Sequence, residues 1–120
     1  MRRINVEKVI KYKDYTGIIT NTETDNLDYY CAYVVIPKDD KIYGIDAKKL
    51  NSKITSYGGI TFSNYAPNFS TYYKLKDLIT KDDYIIGIDF IARDKEDTKV
   101  WTLSEVEKEL KNLINEIKNF

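Results

Sequence analysis

The sequence predicts an α+β domain: a mainly antiparallel sheet of about five strands with a C-terminal amphipathic helix packed on one face. Three observations carry this. Runs dense in β-branched and aromatic residues are separated by short polar turns. The last twenty residues carry apolar side chains at helical spacing. The chain has 120 residues, enough for one hydrophobic core and too few for two, so residues 1–120 are read as a single domain.

The elements follow in order. Gly17-Ile18-Ile19-Thr20 and Tyr29 to Ile36 flank Asn21 to Asn26, whose short polar side chains favour a turn. This reads as a β-hairpin with a four- to six-residue connection. The second run is apolar on both parities, with Cys31, Tyr33 and Val35 on one face and Ala32, Val34 and Ile36 on the other. A strand covered on both faces is internal to its sheet. Pro37 ends it, because it lacks the N–H that would continue a ladder. Lys38 to Lys41 is a turn, and Asp46 caps a single helical turn at Ala47–Leu50.

Ile54 to Tyr57 and Ile60 to Ser63 read as short extended pieces around Gly58-Gly59, joined by a tight hairpin or bent by a bulge. Ser63 to Tyr73 has no period and reads as a loop, and Leu75, Leu78 and Ile79 suggest a short helix. Tyr84 to Ile91 is a further strand. Thr102-Leu103-Ser104-Glu105 has the form of a capping box, with Trp101 and Val106 at the hydrophobic-staple positions. Leu103, Val106, Leu110, Leu113, Ile114 and Ile117 then make one apolar stripe.

Composition limits the chemistry. There is no histidine, which excludes Ser–His–Asp and Cys–His catalysis and any zinc site that needs imidazole. The single cysteine, Cys31, cannot form an internal disulfide and reads as a buried small hydrophobe, in keeping with a reducing compartment. Neither a targeting signal nor a membrane-spanning run is evident, so no membrane role and a cytoplasmic location are expected. The 19 basic and 19 acidic residues balance, so no global field steers the chain toward nucleic acid. Locally they separate. Arg2, Arg3, Lys8, Lys11 and Lys13 precede an acidic stretch of Asp14, Glu23, Asp25 and Asp28. Either the two segments are neighbours whose charges compensate, or the first is a basic arm.

Two candidate sites emerge. Asp89 shares strand parity with Ile85, Gly87 and Ile91, so its carboxylate points with an apolar face and is either a structural tie or part of a site. Gly87, on the same parity, leaves room for a backbone or ligand. Gly58-Gly59 with Thr61 and Ser63 could form a small anion nest, and these four residues with Asp89 make a candidate small-molecule site. The second is a contact surface: Tyr65, Phe69, Tyr72 and Tyr73 in the irregular stretch, with the acids Asp14, Glu23, Asp25 and Asp28. No catalytic residue, metal ligand or cofactor is assigned.

The ordered segments Ala32-Tyr33-Val34-Val35-Ile36-Pro37, Tyr43-Gly44, Tyr57-Gly58-Gly59-Ile60-Thr61-Phe62-Ser63, Gly87-Ile88-Asp89 and Thr102 to Val106 carry a resemblance. Together they resemble a family of small proteins encoded by bacteriophages and other mobile elements. That family has the pattern (His/Tyr)-Gly-Gly-(Leu/Ile)-Thr-(Tyr/Phe)-Ser and Gly-(Phe/Ile)-Asp. Histidines of the family pattern are replaced near Asp40, Tyr57 and Ala92. The resemblance implies the fold and an accessory role, with no activity to transfer. The expected function is a non-enzymatic protein that binds and inhibits a host factor in the bacterial cytoplasm. A defence component such as a CRISPR–Cas effector, and hence a nucleic-acid-binding nuclease, is the favoured partner. Acidic side chains would then occupy its basic groove, with no direct contact to nucleic acid. The alternative is binding or sequestration of a nucleotide signal at the Gly-Gly turn and Asp89.

Overall fold

The computed structural model describes residues 3–25, 27–91 and 100–120, so Arg2, Asn26 and Ala92 of the sequence reading lie outside the described residues. The described residues form five strands and two α-helices: β1 (Arg3–Tyr12), β2 (Tyr15–Glu23), β3 (Asp28–Ile36), α1 (Ala47–Leu50), β4 (Phe62–Tyr65), β5 (Tyr84–Asp89) and α2 (Leu103–Lys118). One sheet has the order β1-β2-β3-β5-β4, with every neighbouring pair antiparallel. The α+β prediction describes this architecture.

β3 lies at the centre, as its two apolar parities require. Its even positions Ala32, Val34 and Ile36 meet Ile19, Ile86 and Ile88 and the α2 stripe Val106, Leu110, Leu113, Ile114 and Ile117 in the larger core. Its odd position Val35 meets Ile18 and Ile85, Phe69, Leu75 and Ile79 in a second core on the opposite face. That second cover is the stretch read as a loop. It opens with β4, continues through two 3₁₀ turns, Ala66–Asn68 and Tyr72–Lys74, and lies across the face that α2 leaves open. Leu75 and Ile79 are buried in turns rather than in the helix expected there, while Leu78 is 42% exposed.

The segment 3–12 is an edge strand, not a free arm. Its period-2 pattern is broken by a bulge between Val6 and Lys8, where two steps along β1 meet one along β2. Val6 and Val9 therefore pack on one face although their spacing is odd, and Ile10 and Tyr12 pack on the other. Basic and acidic segments are thus hairpin neighbours, with Arg3 opposite Glu23, while Lys8 and Asp14 each find their charge partner on α2. Asn5 donates to Glu23 (3.1 Å), Lys8 pairs with Glu107 on α2, and Lys118 lies 3.9 Å from Asp14.

Two short pieces differ from the sequence reading. Ile54 to Tyr57 is not a strand, and Gly58-Gly59 is not a hairpin turn between paired strands. β4 begins later, at Phe62, and pairs with β5 instead. The expected caps are present. Asp46 accepts from the Lys49 N–H (3.0 Å), and Thr102 and Glu105 close the reciprocal box at the start of α2.

Candidate partner-binding surface

The strand register divides the sequence-derived site residues between the two ends of the sheet. Glu23 pairs with Asp28, and Cys31 pairs with Asp89, so Asp89 stands about 10 Å from Asp28 along the strand direction at ~3.3 Å per residue. The β2–β3 connection places Asp25 between Glu23 and Asp28 and is closed by Thr24, whose hydroxyl accepts from the Leu27 N–H (2.9 Å). Glu23, Asp25 and Asp28 therefore gather at one end of the sheet, with Tyr30 and Leu27, which is 45% exposed, while Asp89, opposite Cys31, shares the other face with Tyr29. Arg3 and the Lys74 ammonium, which donates to the Ile4 carbonyl (3.2 Å), border this end on the β1 side.

Asp14 is absent from this group. It lies in the β1–β2 turn, with φ 70°, a full β2 length away, or about 30 Å at ~3.3 Å per residue. The tyrosine set also divides. Tyr65 is 45% exposed but belongs to the Asp14 end, where its ring meets Tyr43 and Tyr84 at 5.8 and 5.2 Å. Phe69 is 3% exposed and packs 4.6 Å from Tyr33, so it is a core residue and no contact surface. Tyr72 is half-buried with Lys76 over its ring, and Tyr73 is 67% exposed. The expected single surface is thus two, and only its acidic part from Glu23 onward is contiguous.

The small-molecule grouping fares similarly. Thr61 and Asp89 meet, the Asp89 N–H donating to the Thr61 hydroxyl at 3.1 Å. Ser63 faces the opposite side of the sheet and accepts from the Ala47 N–H (3.0 Å). Nor do Gly58-Gly59 make an anion nest. The Gly59 N–H goes to Ser56 (2.8 Å), the Ile60 N–H to the Asn51 side chain (2.6 Å) and the Thr61 N–H to Gly87 (2.9 Å). Both glycines have positive φ, 68° and 74°, which the turn around Asn51 requires. Room at Gly87 is taken by the Tyr33 ring, which an added Cβ would meet at 2.4 Å. What remains beside Asp89 is a cavity of about 170 Å³ walled by Thr22, Tyr29, Cys31, Tyr33, Thr61 and Phe62. Ligand pockets run from ~300 Å³ upward, so this one is smaller than usual. Burial, with the Cys31 thiol beside it, pushes the Tyr33 phenol well above the usual tyrosine range, so it stays neutral.

One feature was not legible in the sequence. Glu116 on α2 accepts from the Thr55 N–H (2.7 Å), the Thr55 hydroxyl (3.0 Å) and the Ser56 hydroxyl, which fixes the loop 54–57 beside the helix. Burial raises the Glu116 pKa, but these hydrogen bonds outweigh burial and hold it below the ordinary carboxylate range. Nothing in the helical period distinguishes Glu116 from the other acids of α2.

The chain matches no known protein family, no curated protein and no solved structure. Among the described residues, no group of three His, Cys, Asp or Glu could hold a metal ion, and no helix is long and apolar enough to cross a membrane.

Proposed function

We propose that this chain is a non-enzymatic binding protein whose acidic, tyrosine-bearing end docks on a basic surface of another protein. The observation that carries the reading is the grouping of Glu23, Asp25 and Asp28 around the β2–β3 turn at one end of the sheet, beside Tyr29 and Tyr30. Carboxylates presented on a rigid sheet end match basic surfaces by charge complementarity, and adjacent tyrosines add rigid contact area at low entropic cost. The resemblance to phage and mobile-element proteins gives the partner its proposed form: a host defence nuclease, CRISPR–Cas effectors included, whose nucleic-acid groove the acidic end occupies in the bacterial cytoplasm.

A nucleotide-signal site is the weaker reading. Its Gly-Gly turn has committed the N–H groups of residues 59–61, its serine lies across the sheet, and its cavity is small. The test is capture from bacterial lysate on immobilised protein, followed by elution with sheared DNA. A partner held through its nucleic-acid groove is released by DNA and is not captured by a Glu23→Lys/Asp25→Lys/Asp28→Lys variant. Capture that is indifferent to both overturns the proposal.

A further inference from the structure

On the second-core face the three central strands change character at the same level. β2 presents Ile18, Thr20 and Thr22, β3 presents Val35, Tyr33, Cys31 and Tyr29, and β5 presents Ile85, Gly87 and Asp89. The register sets Thr22 opposite Tyr29, Thr20 opposite Cys31 and Cys31 opposite Asp89, so the polar residues stand together. The apolar half of the face carries Phe69, Leu75 and Ile79. At the polar half lies the cavity of about 170 Å³, walled by Thr22, Tyr29, Cys31, Tyr33, Thr61 and Asp89. Thr20 and Thr22 are buried there, although burying a hydroxyl costs free energy that an apolar side chain of the same shape would not.

The walls are pre-set. Tyr33 is seated on Gly87, and its ring meets Phe62 edge-on at 5.8 Å and Phe69 at 4.6 Å. The Asp89 N–H donates to the Thr61 hydroxyl (3.1 Å), which fixes the strand end that carries the carboxylate. Among the described residues no lysine or arginine walls the cavity, so its acidic group is unopposed by a basic wall. Hydroxyl and carboxylate oxygens accept hydrogen bonds, and ring faces attract cations. A cavity of ~150 Å³ has room for one benzene ring. The space here therefore suits one planar group of that size, such as a guanidinium with its adjoining methylenes. Guanidinium carries five N–H donors in one plane, matches a carboxylate and stacks on aromatic rings, whereas an ammonium is a compact point charge.

We infer that this cavity takes the guanidinium of a single arginine side chain of the basic partner, with Asp89 as its counter-charge beside the rings of Tyr29 and Tyr33. The inference rests on the proposed function and deepens it. The acidic turn meets the partner's basic surface, and one arginine enters at the Thr22–Tyr29 pair, next to the Glu23–Asp28 pair. An arginine or aromatic side chain filling a pocket is the usual form of an interface hot spot. Water is the competing occupant of a polar cavity.

The amide resonances of Thr22, Tyr29, Cys31, Thr61 and Asp89 report the cavity, and that of Leu110, in the larger core, is the control. Titration of the full chain with N-acetyl-arginine amide is expected to shift the cavity amides saturably in the millimolar range and to leave Leu110 unmoved. The isosteric but uncharged N-acetyl-citrulline amide moves none of them. Asp89→Asn weakens arginine binding about tenfold, as loss of the charge from a hydrogen-bonded partner does. The comparison of the two ligands needs no variant, so it decides the matter even if Asp89→Asn does not fold. Unmoved cavity amides throughout the arginine titration, equal shifts with the citrulline amide, or undiminished binding by folded Asp89→Asn overturns the inference and leaves the cavity to water. If the inference fails in this way while the Glu23→Lys/Asp25→Lys/Asp28→Lys variant still loses partner capture, the arginine anchor alone is wrong and the acidic-end function stands.

Discussion

At Gly87 a methyl group would stand 2.4 Å from the Tyr33 ring and 3.0 Å from the Ala32 carbonyl, inside a central strand that cannot move aside. The glycine seats Tyr33 across β5, and Tyr33 in turn anchors Phe62 and Phe69 over the second core. Gly87→Ala is therefore expected to destabilise the fold by about 1–3 kcal/mol, the usual cost of overpacking, read as a lower urea midpoint. Its sequence signal, a small residue two places before Asp89, was visible, but an aromatic neighbour and a ligand leave the same gap. Only the β3–β5 register tells them apart. Glu116 is the converse, an important side chain with no signal. Because its folded pKa is depressed, its contribution is present above the unfolded value near 4.5 and is lost as pH falls through the lowered folded value. Glu116→Gln should cost about 1–2 kcal/mol at pH 7, in line with hydrogen bonds to a charged group. Thermal melts of the two proteins should converge in acid, and a gap that persists or widens there contradicts the assignment.

The elements differ in how far their sequences announce them. α2 is fully legible, because cap, staple and stripe are local and all point to one helix. Thr102→Ala should remove about 1 kcal/mol by deleting the box. Leu110→Ala should cost about 2–5 kcal/mol, since Leu110 is fully buried and packs against Gly17 of β2. Chemical denaturation of the two variants checks the order, and equal losses would mean that α2 is not held by its packed stripe. β1 was hidden by its bulge, which shifts the alternation by one residue, so neither period fits residues 3–12. The cover over the second face was hidden for another reason. Phe69, Leu75 and Ile79 are brought together by turns rather than by a repeating element, so their burial follows from the sheet beneath and not from spacing. Bulge and protruding charges on β1 also blunt an edge that would otherwise pair with another chain.

For the molecule as a whole, charge neutrality conceals a division that only the topology reveals. Asp28 and Asp89, 61 positions apart in sequence, are brought to one end of the sheet by the antiparallel β3–β5 pairing, but onto opposite faces. Asp14, only nine positions before Glu23, is carried to the other end by a single strand. Proximity in sequence is thus a poor guide where strand direction and parity decide, and the candidate surface is smaller than the sequence suggested, reduced to Glu23, Asp25 and Asp28.

The most direct test of the central claim is partner capture by the chain and by its Glu23→Lys/Asp25→Lys/Asp28→Lys variant, compared at matched melting temperature and low salt. The account predicts a specific protein bound by the first, released by sheared DNA and not bound by the second. Equal capture by both, or capture that DNA leaves intact, would contradict it.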